Sequence, residues 1–481
     1  MRLRRVGLKF FRERAKNDTR GACAPRGAAG FPLLAGVGRV GIGKIFFAMP
    51  ITQNDVLQAM PEGGLFAGKA WLTSPEPFPI EPKLVAELQK LGHRLHVFLK
   101  AANDLYYRSV KGKVPPWIAG YLDAGKPEEL LEAARAKPLR NQLPGVIRPD
   151  LILTESGFAM SEIDSVPGGI GLTGWLGQTY AKLHPDKPLL GGAHGMVTGF
   201  RSLFPQGADL VISKESGDYR PEMEWLAGQA GAGFAVAEAE AYQPAGRDIY
   251  RFFELFDLPQ IPGWQAMQAA AAAGSLTISA SMKPWLEEKL WLALFWSRPL
   301  RKLWLQELRE NQRDALAKII PRGWVVDPTP LPHHAVLPGL EINAWDELAG
   351  FSQKERQLVL KRSGFHQDAW GSRSVVIGHD VSQPEWAAAV TEAQGDFADS
   401  PWVLQQFHAA KVVEHPYFDR TTGAVKTMQG RVRLCPYYFV PRDGSAIQLG
   451  GVLATIVPAD KKILHGMSDS ILVPCCAAGE E

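Results

Sequence analysis

Arg148-Pro149-Asp150-Leu151-Ile152-Leu153-Thr154-Glu155-Ser156-Gly157-Phe158-Ala159-Met160-Ser161-Glu162-Ile163-Asp164 is the stretch whose reading decides the fold. Asp150–Thr154 has the β-branched and aliphatic content of a strand, Glu155-Ser156-Gly157 is a turn, and 158–164 alternates as a second strand. Residues i and i+2 of a strand share a face, so Glu162 and Asp164 present two carboxylates side by side. A hairpin brings Asp150 next to them. Three carboxylates on one face repel unless a cation sits among them. Mg2+ takes a few carboxylates together with phosphate oxygens and water. Arg148 adds a cation suited to phosphate or carboxylate. The same spacing also suits a solvated face of ordinary surface acids, and spacing alone leaves both readings open.

Outward from the hairpin, the chain alternates between helical and strand patterns. Leu84, Leu88, Leu91, Leu95 and Phe98 fall on one face of a helix over 81–108, and a second helix is expected over Pro127–Lys137 with proline in its first turn. A Gly-rich stretch, Pro167–Gly171, follows the hairpin. Asp209–Ser213, Pro221–Ala230 and Phe234–Val236 form a strand–helix–strand unit of α/β type. Residues 265–275 are expected as a helix or linker, and two helices are expected through 283–320. The last third is strand-rich: 358–361, 374–377, 402–406, 432–440 and 449–457. No internal repeat is visible. The fold class is therefore α/β (α+β).

Composition limits the alternatives. The chain has 481 residues, about three domains' worth at roughly 150 each. A hydrophobic fraction of 46% with 21% charged residues is that of a globular protein. Lys and Arg number 53 against 50 Asp and Glu, a formal charge of +3, which argues against coating nucleic acid. The 4 cysteines, Cys23, Cys435, Cys475 and Cys476, are too few for a disulfide framework and lack zinc-ligand spacing, so a reducing, cytoplasmic setting is expected. No run of 18 apolar residues offers a membrane span. The most apolar candidate helix, Trp285–Leu305, carries Glu287, Glu288, Lys289, Arg298, Arg301 and Lys302, so it is expected to be a core helix with a wet face and its tryptophans to pack inside.

Residues 1–48 stand apart as a basic leader, with eight Lys and Arg in the first twenty positions. A disordered extension, with a start at Met49, suits that composition better than a targeting signal, because Arg39 and Lys44 interrupt any apolar region. Gly36–Gly41 fits GxGxxG and Gly38–Lys44 fits part of a phosphate loop, but Ile45 stands where the magnesium-holding hydroxyl belongs.

Further chemistry lies near the C-terminus. Lys361 leaves a strand into a loop holding Ser363, Gly364, Gly371, Ser372 and Arg373, small residues and donors of the kind that approach phosphates. An ordinary hairpin with a basic tip has the same composition. Trp402–Phe407 runs from a buried strand into Gln405 and Gln406, a pattern suited to holding adenine. Arg431 and Arg433 share a strand face, and His465 follows Gly450-Gly451 as either a general base or a structural histidine.

In this order the motifs resemble the circularly permuted ATP-grasp enzymes, the group that includes glutathionylspermidine synthase. There an Arg-x-Asp, strand turn, Glu-x-Asn motif comes early, and lysine strands, phosphate loop and adenine hinge come late. The resemblance covers roughly residues 140–475. It implies that Asp150, Glu162 and Asp164 hold Mg2+, and that Lys361 and an earlier lysine, Lys318, contact ATP. It further implies that Gly371, Ser372 and Arg373 cover the phosphates, that Gln405 and Gln406 lie by the adenine, and that Arg148 and Arg433 face the transferred phosphoryl group. Asp164 stands where the family has Asn, which adds charge and leaves metal number open. Glu341-Ile342-Asn343 matches the motif literally but lacks a strand pair.

The implied architecture is an ATP-grasp of permuted order. Residues 49–189 supply a helical region and the metal-binding strand pair, 190–275 a Rossmann-like pre-ATP-grasp module, and 276–481 the nucleotide-binding lobes. The implied activity is ATP-dependent ligation of a small-molecule carboxylate to an amine through an acyl phosphate. A non-catalytic or regulatory nucleotide-binding relative and a phosphotransferase are the alternatives. The substrate pocket is expected within 165–260, including Tyr219, Arg220 and Arg251. No nucleic-acid or membrane partner is expected, and oligomeric state is not legible.

Overall fold

The computed structural model describes residues 50–479 except Trp370, Ser372, His465, Met467 and Ser468. The basic leader with its two glycine motifs, and the expectations for Ser372 and His465, therefore lie outside the described residues.

The expected hairpin is formed by Val146–Thr154 and Gly157–Asp164, paired antiparallel with Arg148 opposite Asp164 and Asp150 opposite Glu162. It is the edge of a seven-stranded sheet. Inward from it the order is Val425–Phe439, Gln448–Pro458, Ile471–Ala477 and Phe78–Ile80, the last pairing parallel. Val425–Phe439 is long enough to serve two partners. Arg433 to Phe439 faces the hairpin, while Val425 to Arg431 pairs with Val412–Phe418. The strand expected over 432–440 is in the right place, but it reaches back to Val425, and the strands Val412–Phe418 and Ile471–Ala477 were not among the expectations.

The helix expected over 81–108 spans Pro82–Val110, and Leu88, Leu91, Leu95 and Phe98 are buried as the periodicity requires. It lies on the sheet where Tyr438 donates to the Leu88 carbonyl at 2.6 Å. The strand–helix–strand unit is a parallel four-stranded sheet in the order Phe234–Glu238, Ala208–Ile212, Ile249–Phe252, Ile278–Ser279, with Arg220–Ala230 as the crossover helix. A third sheet joins Val376–Ile377, Leu358–Arg362, Trp402–Gln406 and Gly323–Val325, all antiparallel, under the helix Gln383–Gly395.

One helical expectation is corrected. Residues 284–317 are not two helices but a chain of short ones: Pro284–Glu287, Leu290–Leu294, Arg298–Leu300, Arg301–Glu307 and Glu310–Ala317. Pro299 interrupts the run, because it lacks an N–H and disfavours helix in the residue before it. The indoles stabilise the breaks: Trp291 donates to the Trp285 carbonyl at 2.5 Å and Trp304 to that of Leu294 at 2.9 Å. Trp285, Trp291 and Trp304 are buried in the core as expected. Among the described residues no helix is long and apolar enough to cross a membrane.

Candidate functional site

Strand alternation places Arg148, Asp150, Glu162 and Asp164 on one face of the hairpin, and the neighbouring strand adds Arg433 and Cys435 to it. Asp150 is enclosed there. Its Oδ1 lies 2.9 Å from Nε of Arg148 and its Oδ2 2.9 Å from Nη1 of Arg433, while the Cys435 thiol donates to Oδ1 at 3.4 Å. Burial raises the pKa of Asp150, but the two guanidiniums more than offset it and hold the carboxyl below its usual range.

Asp164 receives Nη2 of Arg148 at 3.1 Å and the Val166 amide at 2.8 Å. Its burial outweighs the attraction of Arg148, and Glu162 and Asp150 add to the upward shift. Glu162 is the most open of the three, with a side chain 36% exposed and Nζ of Lys289 3.7 Å from its Oε2. The cations among these carboxylates are thus the protein's own. No three acidic, histidine or cysteine groups converge on a metal position among the described residues.

The third sheet closes on this face. Lys361 donates to Oε1 of Gln405 at 2.8 Å and to the Ser161 carbonyl of the hairpin at 3.2 Å. Burial lowers its pKa to about 8 against the pull of Glu162. Gln405 therefore fixes the lysine, and Gln406 is the exposed residue at the strand's end. Gly371 and Arg373 are exposed in the following loop. Lys318 caps its helix on the surface, where its charge faces Glu87, so the structure does not join it to the group around Asp150. Glu341 sits in an exposed turn, accepting from Gly339.

Several neighbours carried no sequence signal. Lys289 bridges Glu162 and the Ala369 carbonyl, to which it donates at 2.9 Å, yet its sequence context suggested only a wet helix face. Cys435 could have been placed by its i+2 spacing from Arg433. Glu222 is fully buried and accepts from the amides of Gly169 at 2.7 Å and Leu172 at 3.2 Å, so it caps the helix Ile170–Leu183 that begins in the Gly-rich stretch. Burial pushes its pKa up to about 7 against those bonds. Ser363, expected as a phosphate-loop donor, is instead buried and donates to Glu288. Of the expected pocket residues, Arg251 is fully buried and pairs with Glu287, Tyr219 packs edge-on against Phe252, and Arg220 faces Glu224 near the surface.

No family model matches the chain. No curated protein matches it either. Among solved structures, a glutathione synthetase-like effector from Globodera pallida, in apo form, is 9% identical over 85% of this chain and 90% of its own, with a TM-score of 0.47. A protein designated a gamma-glutamylcysteine synthetase from Methylobacillus flagellatus KT is 11% identical over 83% of this chain and 90% of its own, with a TM-score of 0.37. Both likenesses are too distant to give the chain a family, and its chemistry rests on its own residues.

Proposed function

We propose that this chain is an ATP-dependent ligase of permuted ATP-grasp type, joining a small-molecule carboxylate to an amine through an acyl phosphate. The observation that carries this reading is the convergence of Arg148, Arg433, Lys289 and Lys361 on the face that holds Asp150, Glu162 and Asp164. Phosphoryl transfer is catalysed mainly by positioning and by fixed positive charge around the transferred group. Four basic side chains from four separate parts of the chain supply that charge. The carboxylates orient them beforehand, so little reorganisation is needed when a polyphosphate arrives.

The donor set suits a magnesium ion that enters with the nucleotide. Mg2+ is held by one or two carboxylates plus phosphate oxygens and water rather than by an all-protein cage. Glu162, the open carboxylate, and its cross-strand partner Asp150 would hold it, with Asp164 orienting Arg148. When bound, the ion neutralises phosphate charge. Lys361, set by Gln405, and Lys289 contact the phosphates, and Gly371, Ser372 and Arg373 cover them. Gln406 borders the adenine. Arg148 and Arg433 face the transferred group and the attacking carboxylate oxygen.

Calorimetric titration with a non-hydrolysable ATP analogue, with and without magnesium, tests the reading. Magnesium-dependent binding by the wild type is expected, weakened at least about tenfold, or about 1.4 kcal/mol, in Lys361→Met and Glu162→Ala. ADP release dependent on both an acid and an amine then identifies the reaction. A wild-type chain that binds no nucleotide ends the proposal.

A further inference from the structure

The Gly-rich stretch Pro167–Gly171, conspicuous in the sequence, has so far been given no task. It meets the candidate site at one atom. The Gly168 carbonyl accepts Nη1 of Arg148 at 3.2 Å and the Tyr437 hydroxyl at 2.8 Å. Arg148 is thereby held on three sides. Its Nε lies against Asp150 and its Nη2 against Asp164, both from its own hairpin. Two contacts leave a planar fork able to tilt about the line that joins them. The Gly168 carbonyl comes from outside the hairpin and stops that tilt.

This carbonyl is one end of a peptide unit whose other end is fixed by Glu222. The Gly169 amide donates to Oε1 of Glu222 at 2.7 Å, and the Leu172 amide to Oε2 at 3.2 Å. A trans peptide unit is planar, with its N–H and C=O pointing opposite ways, so an anchor on the N–H sets the direction of the C=O. The flanking residues do not set it unaided. Glycine adopts φ of either sign at little cost, and Gly169 stands at φ +88°. Neither glycine has room for a side chain: a Cβ at Gly168 would come within 2.2 Å of the Tyr219 ring, and one at Gly169 within 2.6 Å of the Tyr437 hydroxyl. Glu222 is fully buried on the crossover helix Arg220–Ala230. A neutral side chain would be cheaper to bury. What the carboxylate adds is two acceptor oxygens, one for each amide.

We propose that Glu222 is a positioning residue for Arg148, acting through the Gly168–Gly169 peptide unit to aim the guanidinium at the transferred phosphoryl group. The hold on Arg148 stands on the geometry; only its consequence for phosphoryl transfer rests on the ligase reading. Glutamine is a poor substitute, because its NH2 faces one of the two amide donors and leaves that donor unpaired. The peptide unit is then free to turn its carbonyl away from Arg148.

The test is NMR of the full chain with isotope-labelled arginine, on the alkaline side of about 7, the value to which burial pushes Glu222. The Nη signals of Arg148, identified by their absence in Arg148→Lys, are expected to be sharp and distinct in the wild type. In Glu222→Gln they are expected to broaden or merge, with those of the fully buried Arg251 unchanged. Unchanged Arg148 signals, or equal changes at Arg251, would overturn the inference. If Glu222→Gln does not fold, Tyr437→Phe decides. It removes the carbonyl's other donor, and the Arg148 signals stay sharp if Glu222 holds the unit; broadening would give the role to Tyr437. Titration with the ATP analogue and magnesium closes a cycle. Each single variant is expected to weaken binding at least about threefold, and the double variant no further than Arg148→Lys alone, whereas additive losses would show that Glu222 acts elsewhere. A wild type that binds no nucleotide removes the ligase reading, and the arginine signals still decide the positioning.

Discussion

Glu287 and Glu288 are neighbours in sequence and belong to two regions with opposite electrostatic balance. Glu288 turns to a closed network. Lys126 meets it at 2.5 Å with side chains 1% and 2% exposed, and Ser363 donates to it while accepting the Leu290 amide at 3.1 Å. Glu287 takes Nη2 of the buried Arg251, while the nearby Glu254 keeps a buried oxygen without a partner. A buried ion pair completed by hydrogen bonds holds two segments in register. A buried excess of one sign is held at a cost. The difference teaches that burial alone does not separate a settled charge from an unsettled one; completeness of pairing does.

The largest expected effect breaks the closed network. Glu288→Gln leaves the Lys126 ammonium buried and uncompensated, and is expected to cost about 3–5 kcal/mol in urea unfolding. Glu254→Gln replaces a buried carboxyl without a cation by a neutral amide and is expected to change stability by less than about 1 kcal/mol, or to raise it. Equal losses in the two variants would erase the contrast.

The second effect is in pH. The folded chain keeps protons on Glu254 and Glu287 that the unfolded chain releases above the ordinary value of 4.5. The stabilising contribution of the protonated forms is therefore full below 4.5, and for Glu287 it is lost as pH rises through about 7. A decline of about 1–3 kcal/mol across that window is expected, shallower in Glu287→Gln, as measured by unfolding at a series of pH values. A slope identical in the variant would mean that Glu287 does not titrate as its surroundings require.

A third variant acts where the two regions touch. Gly364 has φ +38°, and a Cβ there would come within 2.0 Å of Oε1 of Glu288. Gly364→Ala is expected to cost about 1–3 kcal/mol, measured as a lowered melting temperature. The smallest effect concerns Tyr250, fully buried with an unpartnered hydroxyl. Tyr250→Phe is expected to be neutral within about 0.5 kcal/mol, whereas Tyr438→Phe, which loses the 2.6 Å bond to Leu88, costs about 1 kcal/mol by the same measurement.

The hairpin was legible because its information is local: alternation fixes the face, and a turn of two or three residues fixes the pairing of Asp150 with Glu162. The long helix was legible for the same reason, its stripe repeating over many turns. The 284–317 region was misread because its apolar content exceeded what one helix face needs, and the decision between one helix and several lay in where indole N–H groups found carbonyls. Lys289 was overlooked because a lysine in an apolar run looks the same whether it reaches water or Glu162.

The sequence by itself determined an α/β chain with a carboxylate-bearing hairpin early and basic strands and glycine loops late, since strand and helix periods are written residue by residue. Only the tertiary structure decided which charges meet. Arg433 reaches Asp150 across 283 positions, and Lys361 reaches Ser161 across 200. Whether a buried glutamate is neutralised, as Glu288 is, or left in surplus, as Glu254 is, depends on such distant partners. Coulomb energy and desolvation follow distance and surroundings in space, which the order of residues along the chain does not encode.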